Sequence, residues 1–359
     1  MSLSFDIAVQ SLASSADAAV DERLTGRLAD VQALLGEDLS WVEAALRDAA
    51  RAGVEPATAA ASHLVELGGK RVRPTAVLLS TACFAVPQLS KQLHSSNHGE
   101  FEAPLEAARH FAVAVELVHS ATLLHDDVVD DGTVRRGSTT ARLLWGNAVS
   151  VLAGDALLVE SLKLTSLHAP ALMPELLETL SELVSGEVIQ LRGRRQLDMS
   201  QATYDEILRL KTASLFRLAT SGGALLGGAP PAQRAALGNF GERLGMAFQL
   251  VDDALDYAGT QSGKTLCADL LEGKVTLPLV LAAQEDPTIL ECVKQIRAGK
   301  HELVSALRQR VLSSGACERV RRRAQRETEH ALSALAGIPH GPARSMLEGV
   351  AHQLASRER

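Results

Sequence analysis

Apolar residues recur at helical spacing along most of the chain, and the pattern predicts helices rather than strands. Val31 to Ala52 reads as an amphipathic helix. Pro56 opens an Ala-rich helix that stops at Gly68-Gly69, and Arg73-Pro74 restarts a helix with Pro in its first turn. Further helices are expected over 105–130, 139–168, 171–195, 203–227, 231–258, 275–285, 288–298, 301–314, 316–336 and 341–356. Pro, Gly or polar clusters separate most of them. No apolar–polar alternation persists long enough for a sheet, so the expected fold is all-α. One domain is expected over 1–359, with 1–25 as a polar arm and 87–104 as a surface insertion.

Composition narrows the function. The chain is 46% hydrophobic but only 3% aromatic, and its 359 residues can bury a sizeable core. A formal net charge of −7 leaves no basic field for nucleic acid. No apolar run reaches the roughly 18–20 residues of a membrane span. The N-terminus shows no secretory pattern. Cys83, Cys267, Cys292 and Cys317 are scattered, which suits free thiols in a cytoplasmic protein.

The chemistry concentrates in Leu123-Leu124-His125-Asp126-Asp127-Val128-Val129-Asp130-Asp131, at the end of an apolar helical run. Asp126 and Asp130 are four apart, so they share a helical face about 6 Å apart along the axis. Paired hard oxygens suit Mg²⁺, which takes one or two carboxylates plus phosphate oxygens and water. A single acidic helix end decides little, since solvated charge runs are common. Here the spacing returns in Gln249-Leu250-Val251-Asp252-Asp253-Ala254-Leu255-Asp256-Tyr257. Crowded carboxylates repel unless a cation offsets them. The two clusters read as facing walls of one cavity that holds a diphosphate through Mg²⁺.

Cations accompany both clusters. Gly68-Gly69-Lys70-Arg71-Val72-Arg73-Pro74 sets three in a turn before a helix start, where backbone amides favour phosphate. Arg135-Arg136 follows the first cluster and offers forked donors. Lys211 and Thr212 sit on an otherwise apolar helix, and a buried Lys without an anion is costly. Gln249 lies three residues before Asp252 on the same face. Lys264 and Lys274 follow the second cluster in a loop expected to be mobile.

These residues resemble the trans-isoprenyl diphosphate synthases, or polyprenyl synthetases, of the long-chain type. The resemblance runs from Gly68 to about Leu279 through GGKRVRP, LLHDDVVDDGTVRRG, GDALL, GEVIQL, KTASLF, FQLVDDALDY and EGKVTLPL. It implies a helical bundle around a deep central cavity, usually a homodimer, that condenses isopentenyl diphosphate onto an allylic diphosphate. It implies Mg²⁺, three ions per active site once substrate is bound, with Asp126, Asp130 and Asp252 as ligands. Asp127, Asp253 and Asp256 would support them, and Gln190 would act as an acceptor behind them. Arg135, Lys211 and Lys264 resemble allylic diphosphate ligands. Lys70, Arg73 and Arg136 resemble isopentenyl diphosphate ligands, and Lys274 belongs with the substrate cations. Thr212 and Gln249 resemble the polar groups beside the reacting carbons. The match departs at Ala108, where many relatives carry a His or Gln for isopentenyl diphosphate; Arg109 and His110 lie beside it, and the sequence leaves open whether either replaces that ligand. It also departs at Cys267-Ala268, although Asp269 remains.

Product length follows from the helix before the first cluster. In the family that this chain resembles, the residues four and five before the first Asp help form the floor of the tail pocket. Here Thr122 and Ala121, about 6–7.5 Å along the helix from Asp126, are small, so the resemblance implies an open tail pocket and a product of about 30–50 carbons, near 40. Such a product would seek membranes and serve as a quinone side chain. A short-chain synthase is the nearest alternative. A terpene cyclase usually lacks the second aspartate cluster. A di-iron bundle could use Glu116-Leu117-Val118-His119 and Glu327-Thr328-Glu329-His330, but it leaves both aspartate clusters unexplained.

Overall fold

The first aspartate cluster sits at the end of the longest helix, Gly99–Val129. Ala108, Phe111, Val113, Leu117, Val118, Ala121 and Leu124 on this helix have no exposed surface. A helix apolar on most of its sides belongs inside, so this one is the core of its unit. The computed structural model describes residues 35–92, 99–259 and 267–355. The expected arm at 1–25 lies outside them, as does Lys264 with its loop.

The described chain is all-α, as expected, apart from a hairpin of two two-residue strands. It divides into two compact units. One unit comprises Met1–Leu177, Arg217–Gly241 and Ala334–Val350. Its helices include 35–50, Ala57–Glu66, Val72–Gln92, Gly99–Val129 and Asn147–His168. Asn147–His168 runs antiparallel to Gly99–Val129: the Ser150 hydroxyl donates to Leu124 O at 3.0 Å and the Ser161 hydroxyl to Ala114 O at 2.9 Å. Buried hydroxyls thus find backbone acceptors and fix the register. Thr81 ties Val72–Gln92 to Ser214–Leu226 by donating to Gly223 O at 2.9 Å.

The other unit comprises Glu178–Phe216, Glu242–Ser333 and Ala351–Arg359. It packs the second half of helix Pro231–Ala258 against Gln201–Ile207 and Leu277–Glu285 through Tyr204, Leu208, Leu250, Val251, Ala254 and Val280. A second cluster joins Tyr257, Cys267, Leu279, Ile289, Val293 and Leu307.

Three local expectations change. The helix expected over 139–168 is two, Ala141–Trp145 and Asn147–His168, because Gly146 between them takes φ +87° and ψ 160°. The helix expected over 203–227 contains a π-helical segment, Leu208–Ala213. The polar stretch expected as a surface insertion is helical through Gln92 and again from Gly99; residues 93–98 lie outside the described part. Among the described residues, no helix is long and apolar enough to cross a membrane.

Candidate functional site

The end of helix Gly99–Val129 separates the three aspartates by role. Asp126 and Asp130 share a face, and the Asp130 amide donates to Asp126 O at 2.8 Å. Asp127 turns inward and is only 2% exposed. Arg135 donates to its Oδ1 from Nε at 2.8 Å and from Nη2 at 2.7 Å. Burial lifts the Asp127 carboxyl above its ordinary range, and Arg135 opposes the shift. The helix closes where Asp131 takes φ +55° and the Gly132 amide donates to Asp127 O. A hairpin of Val134–Arg135 and Ser138–Thr139 follows. Its two turn residues, Arg136 and Gly137, take φ +52° and +78°, the left-handed pair of a tight hairpin turn. The turn thus carries Arg136 at its tip and sets Arg135 beside Asp127.

Arginines gather beside this cluster. Arg71, at φ +47°, is buried and pairs with Glu43 and with Glu116, whose Oε1 lies 2.8 Å from Nη1. Those carboxylates hold Arg71 as an internal strut. A Cβ added at Gly69 would lie 3.1 Å from both Arg71 Nη1 and Arg136 Nη2, so the two guanidinia converge over this residue. Lys70 and Arg73 flank Arg71, half-buried, at the start of helix Val72–Gln92.

His119 completes this group, and sequence reading missed it as a binding residue. Burial, followed by the charges of Arg73, Arg136, Arg135 and Arg71, holds its imidazole well below the ordinary value. A neutral ring among four cations can donate to an anion from one nitrogen without adding charge. The signal was present: His119 precedes Asp126 by two helical turns, on the same face. Arg109 and His110 are engaged elsewhere. Arg109 pairs with Asp38, while His110 stacks on His168 with ring centroids 3.5 Å apart. Position 108 is therefore not where the histidine of this arginine group resides.

The second cluster, in the other unit, repeats the division of roles. Asp253 is 2% exposed; Tyr204 OH donates to its Oδ2 at 2.7 Å and Gln249 Nε2 to its Oδ1 at 2.8 Å. Gln249 Oε1 accepts from Thr212 Oγ1 at 3.2 Å. Thr212, Gln249, Asp253 and Tyr204 thus form one chain of hydrogen bonds. Burial and Asp269 push the Asp253 carboxyl up to about 8 and that of Asp256 up to about 7. Asp256 Oδ1 accepts from the Ala268 amide at 2.9 Å, while Oδ2 is buried with no hydrogen-bond partner among the described residues.

Lys211 and Thr212 lie in the π segment, a geometry that recurs at functional sites. Two glycines make room for it. A Cβ at Gly186 would lie 2.9 Å from Lys211 N, and one at Gly245 would lie 2.8 Å from Ala213 Cα. Lys211 Nζ pairs with Glu187. Gln190 donates its amide to Glu187, 3.4 Å from each oxygen, which leaves its own oxygen as an acceptor. Lys274 Nζ lies 2.7 Å from Glu272 and 3.9 Å from Asp269. The Gly273 carbonyl beside it accepts from Arg297 at 2.6 Å.

The donor sets fit a hard divalent cation. Each cluster presents carboxylate oxygens without nitrogen or sulfur ligands, and Asp256 keeps an unpartnered buried oxygen. Asp126, Asp130 and Asp252 would hold the ions, with Asp256 beside Asp252.

Comparison with known proteins identifies the family. The polyprenyl synthetase family model matches residues 54–311. An octaprenyl diphosphate synthase of Escherichia coli is 33% identical over 92% of this chain and 99% of its own length. A heptaprenyl diphosphate synthase component 2 of Geobacillus stearothermophilus is 35% identical over the same shares. A crystal structure of a polyprenyl synthase from Caulobacter crescentus, complexed with calcium and isoprenyl diphosphate, is similar at a TM-score of 0.82 and 34% identity. It covers 92% of this chain and 98% of that one.

Proposed function

The chain belongs to the polyprenyl synthetase family, and from that premise we propose that it builds a long all-trans polyprenyl diphosphate of about 40 carbons, whose tail outgrows the roughly 30 Å of a bilayer core when extended and serves as a quinone side chain. It is a prenyltransferase that elongates trans-prenyl chains. The observation that carries the substrate reading is the arginine group around neutral His119, two turns from Asp126. Such a group selects a diphosphate anion, and isopentenyl diphosphate is assigned to Lys70, Arg73, Arg136 and His119.

The allylic diphosphate is assigned to Arg135, Lys211 and Lys264, with Lys274 among the substrate cations, and Asp126, Asp130 and Asp252 would hold the metal ions. Mg²⁺, when bound, neutralises the leaving diphosphate. Lys211 adds charge stabilisation as the carbon–oxygen bond breaks and its electron pair leaves with the diphosphate. Glu187 holds the Lys211 ammonium in place before substrate arrives. Thr212 and Gln249 present fixed dipoles to the allylic cation, oriented through Asp253 and Tyr204. The isopentenyl double bond then attacks the cation, and the proton lost goes to the departed diphosphate.

Three magnesium ions per site are part of the proposal, as are a cytoplasmic location and a homodimer. The calcium and isoprenyl diphosphate in the Caulobacter crescentus structure support a divalent-metal, diphosphate site. Val151, Leu152 and Val159 on helix Asn147–His168, with Leu143 and Leu144 before it, are exposed and support association through that face. Labelled isopentenyl diphosphate offered with geranyl, farnesyl and geranylgeranyl diphosphate, with products resolved by length, tests the reading. Products that stop at the farnesyl or geranylgeranyl stage would overturn it.

A further inference from the structure

The end of helix Gly99–Val129 remote from the aspartates carries a second group of ligating side chains, which the prenyl transfer reaction does not use. Glu106 and His110 are four residues apart and so share a helical face. His168, the last residue of the antiparallel helix Asn147–His168, meets them. One ligand atom from each of the three lies within 4.8 Å of the other two. His110 precedes Asp126 by 16 positions, about 24 Å of helix, so this group is separate from the diphosphate site.

We propose that Glu106, His110 and His168 form a binding site for a zinc-class divalent cation that clips the two helices together. Two imidazole nitrogens and one carboxylate oxygen suit zinc and its neighbours, whereas magnesium takes oxygen ligands. A tetrahedral zinc ion with bonds of about 2.0–2.2 Å sets its ligand atoms about 3.3–3.6 Å apart, so the observed spread closes when side chains turn toward the ion. Glu106 is exposed, which gives the ion its path from solvent and leaves a coordination position for water.

The surroundings define the movement. The two imidazoles are stacked nearly parallel, at 6°, with centroids 3.5 Å apart. A shared ion lies in the plane of each ring it binds, so one ring must turn about its Cβ–Cγ bond. Trp41 stands edge-on to His110 at 4.8 Å and 84°, and Arg109 next to it is tied to Asp38. These contacts brace His110. His168, at a helix end, is the ring that turns.

The test uses the full chain, stripped with chelator and returned to saturating Mg²⁺ so that the aspartate clusters are occupied. Zn²⁺ is then titrated by calorimetry and by thermal unfolding. Wild type should bind one additional Zn²⁺ per chain at micromolar concentration, with a rise in Tm. His168→Gln and Glu106→Gln should each weaken that binding about tenfold or more while leaving the Mg²⁺-supported prenyl transfer rate unchanged. Should His168→Gln fail to fold, Glu106→Gln, at an exposed helical position, carries the same readout. Absence of the additional Zn²⁺ in wild type, or equal Zn²⁺ affinity in wild type and Glu106→Gln, would overturn the proposal.

Discussion

Arg135 bonds Oδ1 of Asp127 through two nitrogens, Nε at 2.8 Å and Nη2 at 2.7 Å, and this contact locks the first aspartate cluster to the hairpin that follows it. Asp253 has the same position in the second cluster and the same fate, held by Tyr204 and Gln249. In both clusters the middle aspartate is an anchor that orients the outer pair.

Replacing Arg135 by Lys substitutes one point donor for a fork and leaves a buried carboxylate poorly satisfied. Arg135→Lys should lower stability by about 1–3 kcal/mol and reduce turnover. Asp127→Asn should show a non-additive partner effect in a double-mutant cycle. Wild-type unfolding and turnover in Arg135→Lys would refute the anchoring role.

Asp126→Ala and Asp252→Ala remove outer carboxylates rather than anchors. Each should cost orders of magnitude in turnover, and chelation of divalent metal should abolish activity in the wild type. Steady-state kinetics with varied Mg²⁺ will check this. A variant that retains near-normal turnover would exclude its aspartate from the metal set.

His119 sets a pH dependence of stability. The folded ring stays neutral well below its ordinary value, while the unfolded ring takes a proton below about pH 6.5. The unfolded state then binds more protons, so stability falls as pH drops through that range, by at most about 1.4 kcal/mol per pH unit. His119→Gln should flatten this slope in urea unfolding between about pH 4.5 and 6.5. It should also raise the KM for isopentenyl diphosphate more than that for the allylic substrate. An unchanged slope would show that His119 is not the group responsible.

The π segment depends on close backbone approach at Gly186 and Gly245. Gly186→Ala should force the backbone at Lys211 to shift, at a cost of about 1–3 kcal/mol by the overpacking rule. Because Lys211 and Thr212 move with it, kcat should fall further than the stability loss explains. Turnover measured at a temperature where the variant is fully folded separates the two effects.

Ala121 has no exposed surface, and the antiparallel register sets Leu157 near the level of Val118. Ala121→Phe should shorten the product by several isoprene units while sparing the first condensation. Leu157→Ala should lengthen it if Leu157 closes the tail pocket. Product chromatography decides both, and an unchanged product in Ala121→Phe would remove position 121 from length control.

The sequence by itself determined the helical class, the ends of most helices and the two aspartate clusters, because helical periodicity, Gly–Pro punctuation and carboxylate spacing are local. The pairing of Asp126 with Asp130 needs only the 3.6-residue turn. Tertiary structure alone decided which partner each charge meets. Arg71, Arg73 and Arg136 look alike as letters, yet Glu43 and Glu116 come from distant helices to claim Arg71. His119 joins the cations only because the turn before helix Val72–Gln92 and the hairpin at Arg136 meet beside it. The π segment at Lys211 comes from room left by glycines on two other helices, which no local pattern at 208–213 announces. Gln190 was legible as polar and near the site, while its contact with Glu187 three residues away is a feature of the folded helix.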